Sequence, residues 1–273
     1  MPSWRSARGD GCAPKAGRPC RATRACARGT ALRLGAARSG VRAYLAVAGL
    51  AVPAVLGSRS THVRARLGGL AGRALQAGDR LPAGPPPAAA AALAGRLAAA
   101  AVPGAALTPA PWRSRRGRRP ARRSEGPRPG GAVRLRAVRG RAQRFEAESL
   151  EAFFARPYRV SAQADRMGCR LEGEPLRLRA AGEMLSEAVV PGTVQVPAGG
   201  QPIALLADAQ TTGGYPRIAQ IAVVDLPLLA QARAGTPVRF EEIPLAEAQA
   251  LYLLQELAFR RLEAVVRARI ESL

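Results

Sequence analysis

The chain is 273 residues and 28.5 kDa, with 48% apolar but only 4% aromatic residues. That length admits one large domain or two small ones, and the core must rest on Val, Leu, Ile and Ala. The formal charge of +23 suggests nucleic acid, yet residues 1–145 hold 29 basic and 3 acidic groups while residues 146–273 hold 13 and 16. The half that carries the clear motifs is slightly acidic, so nucleic acid is not expected as a partner.

Of the 42 basic residues only Lys15 is a lysine. Arg, Ala, Gly and Pro dominate together, as a GC-rich gene dictates. Cysteines stand at 12, 20, 26 and 169 without a CxxC pair, and His62 is the sole histidine. A zinc site needs about four spaced ligands, so no metal is expected. A disulfide framework is not expected either. Residues 1–30 form no apolar signal core, and the apolar runs at 43–57 and 88–102 are interrupted. Both fall short of the roughly 20 residues that a spanning helix needs. The composition predicts a soluble, cytoplasmic protein with no membrane partner.

Residues 1–29 show neither strand nor helix period and are expected to lack structure. ALRLG and VRAYLAVAG, from residue 31, read as short strands around a turn at 36–40. A Gly-punctuated stretch follows, with a turn at 77–79, and the alanine run to 101 predicts a short helix. Residues 111–131 are an Arg/Pro/Gly linker without apolar period. VRLRAV alternates cleanly from Val133, FEAESLEAFFA predicts a helix over 145–155, and YRVS and CRLEG predict strands. TVQV (193–196) and PIALLAD (202–208) flank PAGGQ, a hairpin turn in which Gly199 and Gly200 permit positive φ. RIAQIAVV (217–224) reads as a further strand. A helix over 245–270 follows Pro244. Ala248, Leu251, Leu254, Ala258, Leu262 and Val265 give it one apolar stripe, predicted to be a docking surface.

Three polar loops interrupt these strands: Ser161–Gly168, Ser186–Gln195 and Asp208–Pro216. Each mixes acids, amides and hydroxyls with glycine, whose backbone can approach a ligand closely. Asp165, Glu187 and Asp208 are the candidate acid–base groups. The same pattern fits Asx-turns closed by Asp165 and Asp208 equally well. Neither a GxxxxGK[ST] run nor a GxSxG elbow is present.

These loops carry a resemblance. YRVSAQADRMGCRLEG, MLSEAVVPGTVQVPAGGQPIALLADAQTTGGYPRIAQI and the closing helix are similar to the family of the 5-oxoprolinase C subunit. That family also includes the carboxyltransferase part of urea carboxylase and the antagonist of the Kip kinase inhibitor. The resemblance covers about 30–110 and 132–270. The family's N-terminal Gln-Asp-Leu-Gly-Arg and Ser-Gly-Ala-Met-Asp-like runs are absent. Residues 1–29 and 111–131 depart from it, as a shifted frame or misplaced start would produce.

The resemblance implies a mainly β fold of two cyclophilin-like barrel halves related by a pseudo-two-fold. The expected layout is an unstructured 1–29, a partial first half over 30–110, the linker 111–131, and a whole second barrel over 132–273. It implies one component of an ATP-dependent amide hydrolase that opens 5-oxo-L-proline together with A-like and B-like 5-oxoprolinase partners. The alternatives are a non-catalytic regulator and the carboxyltransferase component of a urea carboxylase-like system. Gln195, Gln210, Thr211, Thr212, Gly213, Gly214 and Tyr215 are the candidate donors to a small amide, and Arg166 the candidate partner for a carboxylate or phosphate. ATP is implied for the complex. Lys15 lacks the context of a biotin-carrying lysine.

Overall fold

The computed structural model describes residues 2–6, 24–26, 32–37, 40–42, 44, 45, 47–88, 90–92, 95, 107–109, 131–179 and 184–271. Its centre is a closed barrel of seven strands. These are β5 (Val133–Arg139), β6 (Tyr158–Val160), β7 (Gly168–Glu172), β9 (Thr193–Gln195), β10 (Ile203–Leu205), β12 (Arg217–Ile221) and β13 (Pro237–Glu242). Around the barrel the order is β10-β7-β6-β13-β5-β12-β9. Most neighbours are antiparallel. The exception is β13, which runs parallel to β5 from Val238↔Val133 to Glu242↔Ala137 and antiparallel to β6.

Alternation explains the walls. In β5, Val133, Leu135 and Ala137 are buried while Arg134 is exposed, and in β7 Cys169 and Leu171 are buried while Arg170 and Glu172 are exposed. Val194, Ala204, Ile218, Val238 and Phe240 complete an interior with almost no solvent exposure. With few aromatics available, the three that matter are concentrated. Helix α1 (Ala147–Ala155) lays Phe153 on Phe240, ring centroids 4.3 Å apart, and beside Tyr158 at 5.8 Å. This helix plugs the barrel at the end where β5 finishes. Over that plug Arg139 pairs with Glu242 at 2.6 Å and sits 5.3 Å from the Phe154 ring.

Asp225 ties the outside of β5 to the turn after β12. It is 1% exposed and accepts from the Arg136 amide at 2.9 Å and from its guanidinium Nε at 2.8 Å and Nη2 at 2.6 Å. Bidentate geometry plus a backbone bond satisfies a carboxylate that burial would otherwise penalise. The pair locks the short helix α2 (Leu226–Leu229) against the wall.

Several expectations need correction. Residues 1–29 contain β1 (Pro2–Ser6) and β2 (Arg24–Cys26), paired with β3 (Leu32–Ala37) and β4 (Leu107–Pro109). Their partners are remote in sequence, and main-chain pairing leaves no local period to read. VRAYLAVAG holds no strand among its described residues. Gly40 takes φ +71°, and the Val41 and Arg42 amides donate to the Gln231 side chain at 2.9 and 3.0 Å instead of to a strand. The segment 47–88 is held by isolated bridges such as Leu50↔Ala83 and His62↔Leu67 and by the Arg73–Asp79 ion pair. Among the described residues the one closed barrel is formed by strands within 133–242. Residues 223–225 form a 3-10 turn, not the end of a strand. In the β9–β10 hairpin Gly200 has positive φ and Gly199 does not. Residues 111–130 of the linker lie outside the described residues.

Removing the Asp225 carboxylate takes from the part-buried Arg136 guanidinium its bidentate partner. Asp225→Ala should lower unfolding stability by about 3–5 kcal/mol, read as a shift of the urea midpoint with an unchanged slope.

Candidate functional site

The three polar loops do not converge. They sort to two ends of the barrel, because β7, β9 and β10 each have one end at the plug and one at the open mouth. Register sets this: Leu205 faces Gly168, while Ile203 faces Gln195. Asp165, next to Gly168, therefore stands at the mouth, and Gln195 toward the plug.

At the plugged end a small flap covers the outer wall. Strands β8 (Glu187–Ala188) and β11 (Thr212–Gly213) pair as Thr212↔Ala188 and Gly213↔Glu187. Glu187 is clamped between two barrel arginines, Arg141 at 2.6 Å and Arg217 on the other carboxylate oxygen. Arg217 also donates to the Ala188 carbonyl at 3.2 Å. Beneath the flap Gln195 is 2% exposed, and its Nε2 faces the Tyr215 carbonyl at 3.5 Å. A Cβ on Gly213 would lie 2.4 Å from that Nε2, so any larger residue there must push the Gln195 amide aside. Thr193 donates to Gln220 at 2.9 Å, which in turn donates to the Pro191 carbonyl at 3.0 Å.

Glu187 and Gln195, expected at a ligand, are thus spent on the flap itself. Gln210, Thr211 and Thr212 lie exposed or half-exposed on its approach, Gly214 is half-buried beside Met184 and Ser186, and Tyr215 is half-exposed. The Thr211 carbonyl accepts from Val189.

The mouth holds the cavity. About 310 Å³ opens between Val160, Cys169, Leu206 and Leu229, with Asp165, Ser161, Arg42 and Arg233 at its polar edge. That volume is at the small end of ligand sites, and apolar walls with a few polar groups are their usual make-up. The segment 40–42 forms one side. Gln231 accepts from the Val41 and Arg42 amides and returns a bond to the Arg42 carbonyl at 3.0 Å, while Arg233 donates to the Gly40 carbonyl at 3.2 Å. A Cβ at residue 40 would meet the Gln231 oxygen at 2.4 Å, so the docking depends on this glycine.

Asp165 accepts from the Met167 and Gly168 amides at 2.8 and 3.0 Å, closing an Asx-turn. Those backbone bonds, that from Gly168 foremost, hold its carboxyl below the usual range, with Arg64 and Arg170 adding to the effect. It is ionised at neutral pH. The stability it contributes is present above the ordinary carboxyl pKa and lost as pH falls through the lower folded value. Arg166 and Asp208 pair with each other at 3.2 Å, both exposed by about half. Sequence reasoning missed Arg42, Arg233 and Cys169, because nothing local shows that residues 40–42 dock beside 231–233. Among the described residues no group of histidine, cysteine and acids gathers to hold a metal, and no helix is long and apolar enough to cross a membrane.

The family model of the carboxyltransferase domain, subdomain A and B, matches residues 8–242. The match starts inside the stretch where no resemblance was expected and continues across 111–131. The chain is 39% identical over 222 residues to the 5-oxoprolinase C subunit of Escherichia coli (strain K12), covering 81% of this chain and 62% of that protein. To the 5-oxoprolinase C subunit of Haemophilus influenzae it is 35% identical, covering 87% and 68%. Among solved structures, the urea amidolyase of K. lactis shares the fold with a TM-score of 0.61 at 24% identity, covering 85% of this chain and 14% of that one. The chain spans about three fifths of the Escherichia coli relative's length.

Two outcomes check this geometry. Gly213→Ala should destabilise by about 1–3 kcal/mol, and adding Gln195→Ala should recover most of that loss in urea unfolding. Burial pushes the Cys169 thiol up to about 11 from 9.0. At neutral pH its alkylation in the folded protein should be slower by about 100-fold than in denaturant, as followed by peptide mapping.

Proposed function

The chain belongs to the family of the carboxyltransferase domain, subdomain A and B, and from that membership we propose that it is the C-type component of an ATP-dependent amide hydrolase opening 5-oxo-L-proline. The observation that carries the reading is the 39% identity to the Escherichia coli 5-oxoprolinase C subunit, together with a small mouth cavity edged by two arginines. A 5-oxoproline molecule has a carboxylate for Arg42 and Arg233 and a ring that suits the Val160, Leu206 and Leu229 walls. Asp165 keeps acceptor capacity beyond its two backbone bonds, and in this reading it accepts the lactam N–H.

A lactam is a poor electrophile. Transfer of the ATP γ-phosphoryl group to its oxygen activates the carbon. One water adds there, and the C–N bond breaks with the nitrogen leaving as the amine to give an acyl phosphate. A second water hydrolyses that acyl phosphate to carboxylate and phosphate. L-Glutamate, ADP and phosphate result. In this reading the chain's own residues bind and orient the ring, while A-like and B-like partners complete the site and supply the nucleotide. A second reading, a non-catalytic regulatory protein, is favoured by one observation: Glu187, Asp165 and Asp208 are all engaged within the chain.

The test is 5-oxoproline-dependent ATP turnover by the A-like and B-like partners with and without this chain. Turnover should require the chain, and Arg233→Ala should raise the KM for 5-oxoproline about tenfold or more, as loss of a charge-assisted bond implies. Turnover indifferent to the chain would reject the hydrolase reading in favour of the regulator.

A further inference from the structure

Helix α3 (Leu245–Glu271) ends the described chain with its expected apolar stripe largely exposed, Leu254 by 55% and Val265 by 58%, and nothing in the structure shows what covers it. The mouth of the barrel says more. Three polar groups of 5-oxo-L-proline need partners there: the carboxylate, the ring N–H and the lactam oxygen. In the hydrolase reading, on which this inference rests, Arg42 and Arg233 take the first and Asp165 the second. The oxygen is left without a donor. A carbonyl that leaves water for walls of Val160, Leu206 and Leu229 loses affinity unless one is supplied.

Ser161 lines the same cavity and is buried, 7% exposed. Its Oγ accepts from the Gln163 amide at 3.3 Å. That bond uses a lone pair, and the O–H proton is a separate donor. Cys169 lines the cavity too, but a thiol donates weakly. Ser161 thus holds the one hydroxyl among the residues that line the cavity.

The local backbone joins this hydroxyl to the carboxylate. The Ser161 amide donates to the Arg170 carbonyl at 2.9 Å, which anchors residue 161 to β7. The Ala164 amide donates back to the Ser161 carbonyl at 3.2 Å, and the Asp165 amide to the Gly168 carbonyl at 3.1 Å. Residues 161 and 165 therefore belong to one short turn at the cavity edge, one bringing a donor and the other an acceptor. Such a pair suits a particular kind of amide. Ring closure forces a lactam into the cis form, so its N–H and C=O point to the same side. An open-chain secondary amide is trans, and the two point apart.

We propose that Ser161 donates to the lactam oxygen while Asp165 accepts from the lactam N–H, so that the pair reads the edge that a cyclic amide offers and an open-chain amide does not. The ligand class is a small cyclic amide that carries a carboxylate. A carbonyl oxygen has two lone pairs; Ser161 takes one and leaves the other for the phosphoryl group.

The experiment measures equilibrium binding by isothermal titration to the chain assembled with its A-like and B-like partners. Its ligands are 5-oxo-L-proline, the corresponding thiolactam, whose sulfur is a weak acceptor, cyclopentanecarboxylate, which keeps ring and carboxylate without the amide, and open-chain N-acetylglycine. The wild type should bind the lactam about tenfold more tightly than the thiolactam, as loss of a buried hydrogen bond implies. N-acetylglycine should bind it no better than cyclopentanecarboxylate. Ser161→Ala should weaken 5-oxo-L-proline about tenfold and abolish the preference over the thiolactam, with cyclopentanecarboxylate unaffected. Equal wild-type affinity for lactam and thiolactam overturns the proposal, and that comparison does not depend on the variant folding. So does a lactam preference that survives in Ser161→Ala. A variant that loses 5-oxo-L-proline and cyclopentanecarboxylate alike makes Ser161 a structural part of the turn and also overturns it. In these three outcomes the wild type still binds 5-oxo-L-proline, and the hydrolase reading stands. A wild type that binds none of the ligands removes that reading and this assignment with it.

Discussion

Closure of the barrel rests on one pairing, β13 beside β5. Every other neighbouring pair in the ring is antiparallel, whereas β13 runs parallel to β5 over Val238 to Glu242 and so joins the two ends of the sheet. A closed sheet has no unpaired edge. Both partners contribute inward residues, Val133, Leu135 and Ala137 from one and Val238 and Phe240 from the other, to an interior that excludes water. The buried Asp225 carboxylate reinforces the same strand from outside by holding Arg136 through three hydrogen bonds.

Once the ring is closed its two ends become different environments. Helix α1 fills one with Phe153, and the flap over Gln195 lies against the wall near that end. The other end stays open and is lined by the same kind of apolar residues that make the core, with charge only at the edge. The groups that fasten the flap and the groups that edge the cavity are thereby separated. Glu187, Arg141 and Arg217 fasten the flap, while Asp165, Arg42 and Arg233 surround a cavity. The family relationship does not depend on this division, but the placing of a small amide at the mouth does.

Much of the barrel was legible in the sequence because its strands alternate: VRLRAV, YRV and CRLE show the period that the walls require, and FEAESLEAFFA shows the helix. The terminal helix was equally plain from its stripe. Strands β1 and β2 were not, since each pairs with a strand far along the chain. The candidate site was half legible. The acid, amide and glycine loops were found, but their grouping was not, because the two ends of one short strand such as β9 or β10 belong to different ends of the barrel. Gln195 looked like a ligand donor from its polar neighbours. Its burial follows from Gly213 lying over it, a close approach that no local pattern encodes. Arg42 and Arg233 lay outside the polar loops and were brought together only by Gly40 docking on Gln231.

The most direct test is a structure of the assembled complex soaked with 5-oxo-L-proline. The ligand is expected in the open mouth, its carboxylate toward Arg42 and Arg233 and its ring against Leu206 and Leu229. A ligand found under the flap beside Glu187 and Gln195, or held wholly by the partner proteins, would contradict the placing of the amide at the mouth.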